Sequence, residues 1–250
     1  MRQIRVLRGR AATLPGMPTA RVNGITMYYE EHGVGKPLLL INGLGADITL
    51  LAPVIAGFGR SFRVVAFDNR GAGRTEKPDV PYTIGLMAQD AVALMDVLSL
   101  ERANVLGISM GGRIALELAL SCPGRVGRLV LVSTSAAGRG KVTVSWPMRL
   151  LLPLRWAGLL RGKYPQPRYA YLRQRQASVS YDATGRLRGI RAPTLIMHGR
   201  RDRSMPVDLA ERMHAGIPGS RLELFRGGHM FFLFAERQQF LDQAGRFLAG

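Results

Sequence analysis

Cysteine and long apolar runs are scarce in this sequence. Its single cysteine, Cys122, cannot form an intramolecular disulfide, and this argues against a disulfide-stapled secreted fold. No stretch of about 18 uncharged apolar residues occurs, so a transmembrane segment is not expected. Residues 1–16 contain arginines but no apolar core, unlike a secretory signal. We therefore expect a cytoplasmic protein.

Histidine is also rare, with four residues in the chain. We expect His32, in a hairpin turn, and His214, in a charged helical stretch, to be surface residues. His198 ends an apolar run, where packing and turn hydrogen bonds are its expected roles. Because none of these histidines has metal-ligand spacing with the cysteine, we expect no metal site.

Acidic residues are few relative to basic ones. The chain has 17 Asp and Glu against 35 Lys and Arg, which gives a net charge of +18. This excess would suit an acidic substrate, an acidic carrier protein, anionic lipid or nucleic acid. We interpret the excess of basic residues as an arginine-rich composition that favours solubility rather than as a binding feature. No nucleic-acid motif or aromatic stacking platform accompanies the charge, so no nucleic-acid partner is expected. Homo-oligomerisation stays open.

The apolar and charged contents, 47% and 21%, are those of an ordinary globular domain. Residues 38–41 and 62–67 are nearly all apolar, as in strands buried on both faces of a parallel sheet. Asn23-Gly24 predicts a two-residue hairpin at the edge of this sheet. Strand and helix patterns alternate, which predicts a doubly wound α/β sheet. Further strands are expected at 103–108, 128–133, 194–198 and 222–225, and helices at 47–58, 83–98, from 207 and at 231–248.

We divide the chain into three parts. Residues 1–19 are expected to be a flexible extension, and residues 20–135 and 183–250 form the core. Residues 136–182 break the α/β rhythm and are assigned to an inserted helical cap. Within the cap, residues 146–163 combine apolar side chains with arginines. Because Pro147 and Pro153 interrupt this stretch, we interpret it as a lid over an acyl pocket rather than an interfacial membrane helix.

The most informative motif is Gly107-Ile108-Ser109-Met110-Gly111, which lies between a strand-type and a helix-type run. A serine at so sharp a turn needs a strained backbone, and the flanking glycines allow close packing around it. This setting predicts a nucleophile elbow with Ser109 exposed above the sheet. A simple turn or helix cap is the competing interpretation.

Two further residues complete a catalytic triad in the expected chain order. Asp202 follows the strand at 194–198, and His229 follows Gly227-Gly228 near the C-terminus. The order nucleophile, acid, base differs from those in the chymotrypsin and subtilisin families. We assign Ser109 as nucleophile, His229 as general base and Asp202 as its orienter. Asp182 and Asp208 are the competing acids.

The oxyanion of an acyl-transfer reaction needs a pair of hydrogen-bond donors, which we expect the backbone to supply. One is expected to be the N–H of Met110, which opens the helix after the nucleophile. The second is expected from the loop after the strand at 38–41. There the N–H of Leu44 is our candidate, since the glycines on either side let the backbone approach closely.

These segments together resemble the α/β-hydrolase superfamily, and within it the branch of 3-oxoadipate enol-lactonases, haloperoxidase-like esterases and C–C bond hydrolases. The resemblance implies a mostly parallel eight-stranded sheet with a cap, and it implies the same triad and oxyanion amides. Asn42 stands where the family usually has histidine, and Thr75 where it usually has serine. The resemblance is carried by Asn42-Gly43-Leu44-Gly45, Asp68-Asn69-Arg70-Gly71-Ala72-Gly73-Arg74-Thr75, Gly107-Ile108-Ser109-Met110-Gly111-Gly112, His198-Gly199-Arg200-Arg201-Asp202 and Gly227-Gly228-His229.

The leading hypothesis is a serine hydrolase of small carboxylic esters or lactones that needs no cofactor. Alternatives on the same triad are C–C bond hydrolysis and thioester hydrolysis. A non-catalytic ligand-binding protein on the same fold is a third alternative, because a fold does not fix a function. Arg113, just after the elbow, is expected to anchor a loop rather than to contact substrate.

Overall fold

The computed structural model describes residues 18–138, 162–164 and 166–250, and it contains one eight-stranded sheet. The strand order is β1-β2-β4-β3-β5-β6-β7-β8. β2 runs antiparallel to β1 and β4, and the other neighbouring pairs are parallel, as predicted. The strands are β1 Thr19–Val22, β2 Ile25–His32, β3 Lys36–Ile41, β4 Phe62–Phe67, β5 Ala103–Ile108, β6 Val126–Val132, β7 Thr194–Gly199 and β8 Arg221–Phe225.

Helices connect the parallel strands. In the described residues these are α1 Ala52–Phe58, α2 Ile84–Val97, α3 Met110–Ser121, α4 Arg168–Ser180, α5 Asp208–Gly216 and α6 Arg237–Ala249. Short 3₁₀ turns lie at Ile48–Leu51, Pro123–Arg125, Thr184–Gly189 and Phe231–Leu233.

The central strands are apolar at successive positions because each face of the sheet has its own core. In β3, Leu38 and Leu40 pack into the core that contains residues of α1 and α6. Leu39 and Ile41 pack into the core that contains residues of α2 and α3. All four side chains are fully buried. This confirms the interpretation of continuous apolar runs as strands covered on both sides.

The edge hairpin also forms as predicted. Val22 pairs with Ile25, and the turn residues Asn23 and Gly24 have φ of 44° and 81°. Positive φ at both positions is what a type I′ turn requires. Thr19, which we assigned to the extension, is the first residue of β1, and residues 1–17 lie outside the described part. His32 was expected in a turn but is the last residue of β2, where Glu30 contacts its ring.

The prediction of one final helix from residue 231 was wrong. Phe231 and Phe232 are buried in a 3₁₀ turn, and the rings of both pack against Phe240. Glu236 then accepts backbone N–H groups from the strand-end loop at residues 226 and 227. These contacts turn the chain, so that α6 begins at Arg237.

The predicted cap leaves and re-enters the core at adjacent points. Ala137 and Asp182 form an isolated antiparallel bridge, and the Ala183 N–H donates to the Ala136 carbonyl. α4 lies within the predicted insertion. The stretch 146–163, interpreted as a lid, lies almost wholly outside the described residues, so the extent of the cap stays a prediction. Within the residues that the structure describes, no helix combines the length and apolar character needed to cross a membrane.

Candidate active site

The predicted elbow is a strained turn between β5 and α3. Ser109 has φ 55° and ψ −117°, a conformation that residues with side chains rarely adopt. A Cβ on Gly107 would lie 2.4 Å from the Gly111 carbonyl oxygen, and a Cβ on Gly111 would lie 2.2 Å from the Ile41 carbonyl oxygen. Glycine is therefore required at both positions. The serine N–H donates to Val132 O at 2.9 Å and further fixes the turn.

Ser109, His229 and Asp202 come together from three different loops. The His229 Nε2 atom lies 3.1 Å from Ser109 Oγ, and its Nδ1 atom lies 2.7 Å from Asp202 Oδ2. The Asp202 side chain is fully buried, whereas 23% of the His229 side chain is exposed. An imidazole protonated at Nδ1 therefore donates to the carboxylate and presents a lone pair to the serine hydroxyl.

The carboxylate of Asp202 is held by its own loop. Its Oδ1 atom accepts the N–H groups of Ser204 and Met205, each at 2.8 Å. His198 is fully buried, and its Nε2 atom donates to the Met205 carbonyl at 2.7 Å. His198 thus serves packing and turn hydrogen bonds, as predicted.

The carboxylate that contacts the His229 ring is that of Asp202. The Asp182 carboxylate accepts the N–H and hydroxyl of Thr184, and Asp208 is the first residue of α5. The loop that carries His229 is held in place by residues at the ends of β6 and β7. Ser133 Oγ donates to the His229 carbonyl at 2.9 Å, and a Cβ on Gly199 would lie 2.5 Å from the Gly227 carbonyl oxygen. Asp202 is therefore the carboxylate that meets the imidazole.

The loop after β3 lies against the elbow. A Cβ on Gly43 would lie 3.5 Å from the Ser109 Cβ. Asn42 organises this loop, since its Nδ2 donates to Asp47 O at 2.7 Å and its Oδ1 accepts the Gly43 N–H at 2.9 Å. Asparagine thus supplies the ordering contacts at a position where the family usually has histidine. The roles of the Leu44 and Met110 N–H groups in oxyanion binding stay predictions.

The turn after β4 packs against this loop and is joined to it by a hydrogen bond that Asp68 accepts. The buried Asp68 carboxylate accepts the N–H groups of Ile48 and Arg74, each at 2.8 Å. Burial raises the pKa of Asp68 above its ordinary value, and these hydrogen bonds oppose the rise only in part. The Thr75 hydroxyl donates to Asp68 O and accepts the Tyr28 N–H. A serine hydroxyl could make the same two bonds, so threonine suits this position.

Arg113 is a loop anchor, as predicted. This guanidinium is buried and donates to the carbonyls of Ser135, Ala137 and Ser178. Burial lowers its pKa to about 10, so it stays charged at neutral pH. Arg113 therefore joins α3, which begins next to Ser109, to α4.

One buried residue near the site was not identified by the sequence analysis. Gln174 of α4 is fully buried and bonds to the Gly45 N–H and to the Arg70 carbonyl. The signal available was its place among helix positions spaced like a buried stripe. That stripe is hard to recognise in sequence because the apolar Tyr169 and Leu172 are exposed instead. The buried positions of α4 are Ala170, Gln174, Ala177 and Ser178.

The described residues contain no group of three or more His, Cys, Asp or Glu side chains arranged to hold a metal ion.

Comparisons with known proteins identify the family. A family model described as alpha/beta hydrolase fold matches residues 36–158. RutD of Azorhizobium caulinodans, named as a candidate carbamate hydrolase, is 31% identical over 245 residues, covering 86% of this chain and 92% of RutD. The enol-lactonase of Burkholderia xenovorans LB400 is 27% identical with a TM-score of 0.83, over 93% of this chain and 100% of that one. A hydrolase of Pseudomonas aeruginosa PA01 is 26% identical with the same TM-score of 0.83, over 95% and 100%. The chain belongs to the α/β-hydrolase family.

Proposed function

We propose that this protein is a serine hydrolase that cleaves small carboxylic esters or lactones through an acyl-enzyme on Ser109. The observation that carries the proposal is the hydrogen-bonded chain from Ser109 Oγ through the His229 ring to Asp202. A serine hydroxyl is a weak nucleophile, and a base within hydrogen-bond reach is what activates it. We also propose a cytoplasmic location.

Each group has a defined step in this mechanism. The Ser109 oxygen attacks the substrate carbonyl while His229 Nε2 takes the hydroxyl proton, and Asp202 stabilises the resulting imidazolium. The oxyanion accepts hydrogen bonds from the N–H groups of Leu44 and Met110. His229 then returns the proton to the leaving alkoxide. Water, activated by the same base, hydrolyses the acyl-enzyme to a free acid; with a lactone, the acid and the alcohol are one molecule.

The relatives guide the choice of substrates. The structural neighbour from Burkholderia xenovorans is an enol-lactonase. RutD is named as a candidate carbamate hydrolase, and a nucleophile attacks the carbonyl carbon of a carbamate as it attacks that of an ester. A substrate panel of p-nitrophenyl esters of rising chain length, small lactones, an alkyl carbamate, a thioester and a vinylogous diketone therefore separates the ester, lactone, thioester and C–C alternatives.

The test compares the wild type with Ser109→Ala and with a matched control, Ser121→Ala. Ser121 is exposed at the end of α3 and bonds to Glu117. We expect Ser109→Ala to abolish turnover of p-nitrophenyl butyrate and Ser121→Ala to retain the wild-type rate. Undiminished turnover by pure Ser109→Ala protein would refute the assignment. A wild type that hydrolyses nothing in the panel would favour the ligand-binding alternative.

A further inference from the structure

Gln174 has a buried side-chain amide whose oxygen and nitrogen atoms both form hydrogen bonds. Its Oε1 atom accepts the Gly45 N–H at 3.0 Å, and its Nε2 atom donates to the Arg70 carbonyl at 2.7 Å. Gly45 belongs to the loop after β3, and Arg70 to the turn after β4. Burying an amide is unfavourable unless its polar atoms are satisfied, so these two bonds fix where the side chain can lie. Gln174 thus joins both loops to α4.

The helix that carries Gln174 is itself tied to the elbow. Arg113, four residues after Ser109, donates to the carbonyl and the hydroxyl of Ser178 on α4. Ser178 lies one helical turn after Gln174, on the same buried stripe. The position of Gln174 is therefore set relative to the nucleophile through a short path of buried hydrogen bonds.

The consequence concerns the peptide unit between Gly43 and Leu44. Asn42 Oδ1 holds the N–H of the preceding peptide unit, and Gln174 Oε1 holds that of the following one. Peptide units are planar, so fixing the units on both sides restricts the direction of the Leu44 N–H between them. Gly45, with φ 71°, lies in the left-handed region that glycine reaches freely, so its own backbone preference does not fix the loop and the hydrogen bond to Gln174 can.

We propose that Gln174 is a positioning residue for the oxyanion hole: it aims the Leu44 N–H at the developing negative charge by holding Gly45. This inference rests on the proposed function, because it concerns the same site. It assigns α4 a part in catalysis through the backbone, without a contact between Gln174 and the reacting atoms.

The test uses Gln174→Met, which keeps the approximate side-chain size but loses both hydrogen bonds. Gln176→Met is the matched control, since Gln176 is exposed on the same helix and bonds to Ser180. Removing one oxyanion donor outright costs about 10²–10³ in kcat, so we expect a misaimed donor to lower kcat about 10- to 100-fold. KM should change less than about threefold, because the ground-state ester makes little use of the hole.

A second variant supplies a pH readout that loss of packing would not give. In Gln174→Glu one oxygen faces the Arg70 carbonyl, so only the protonated acid can donate there. Burial and the facing carbonyl favour that neutral form. The ratio of Gln174→Glu to wild-type kcat should therefore rise several-fold from pH 8.5 to pH 6, whereas the Gln174→Met ratio stays flat.

The outcomes separate the two proposals. If Ser109→Ala removes activity but folded Gln174→Met stays within twofold of Gln176→Met, the positioning role is wrong and the proposed function stands. If Gln174→Met fails to fold, as judged by circular dichroism, a Gln174→Glu ratio that stays near one up to pH 10, where the carboxylate is ionised, overturns the positioning role. If Ser109→Ala remains active, the proposed function fails, and this inference fails with it.

Discussion

Replacing Asp202 by asparagine should reverse the tautomer of His229 while leaving the loop intact. In the wild type, Asp202 Oδ1 accepts two backbone N–H groups at 2.8 Å. An asparagine must put its carbonyl oxygen there, because its NH₂ group would face two donors. The NH₂ group then takes the place of Oδ2, 2.7 Å from His229 Nδ1, and donates to that nitrogen. The neutral imidazole must then carry its proton on Nε2, the atom that faces Ser109. Nε2 therefore has no lone pair with which to take the proton of the Ser109 hydroxyl.

The expected loss in kcat is about 10⁴-fold, as for the same substitution in a Ser-His-Asp protease, which corresponds to about 5 kcal/mol in the activation barrier. The two loop hydrogen bonds survive, so the melting temperature should change little. The assay is p-nitrophenyl butyrate hydrolysis with active-site concentration determined independently. Asp182→Asn, at an exposed carboxylate that bonds to Thr184, is the control and should match the wild type. A folded Asp202→Asn variant with more than a tenth of the wild-type kcat would refute this role for Asp202.

Three further predictions concern stability. Arg113→Met removes the guanidinium donor from the carbonyls of Ser135 and Ser178 and one of the two side-chain donors from that of Ala137, which keeps the Ser135 hydroxyl. The free energy of unfolding in guanidinium chloride should therefore fall by about 2–4 kcal/mol, and a loss under about 0.5 kcal/mol contradicts the anchoring role. Gly111→Ala puts a Cβ 2.2 Å from a β3 carbonyl oxygen and should lower the free energy of unfolding by more than about 3 kcal/mol. Gly245→Ala in α6, with open space around it, is the control and should be neutral or stabilising in the same unfolding assay. Equal melting temperatures for the two variants would contradict the packing argument. The raised pKa of Asp68 means that the folded state binds this proton more tightly than the unfolded chain, for which the ordinary value is 3.8. Ionised Asp68 therefore lowers stability at neutral pH, and the free energy of unfolding of the wild type relative to Asp68→Asn should rise as the pH falls from 7 towards 4, by about 1.4 kcal/mol for each tenfold difference in proton affinity; a difference independent of pH contradicts this.

The sheet and the elbow were predictable because their signals are local. Continuous apolar runs mark strands buried on both faces, and Gly107 and Gly111 flank a serine that could not turn so sharply beside larger residues. Asp202 and His229 were found from their order along the chain and their places after strands. That reasoning identified the residues but could not supply the distances, which depend on how three loops fold against one another.

What the sequence could not predict depends on long-range contacts. Gln174 and Gln176 are the same residue type two positions apart, and the weak stripe of α4 does not show from sequence that Gln174 is buried between two loops while Gln176 is exposed. The buried ion pair of Arg70 with Asp90 joins a loop to α2, and nothing in the local pattern of either residue indicates it. The start of α6 was missed because apolar residues at 231–234 suit a helix, and only their packing against Phe240 shows that the chain turns first.

Covalent labelling tests the central claim most directly. A fluorophosphonate probe reacts with a serine whose hydroxyl is activated by a neighbouring base, and peptide mass spectrometry locates the adduct. We predict one adduct per wild-type chain, on Ser109, and none on Ser109→Ala or on His229→Ala. A wild type that stays unlabelled, or an adduct that persists at full rate when His229 is replaced, would contradict an activated Ser109–His229–Asp202 chain.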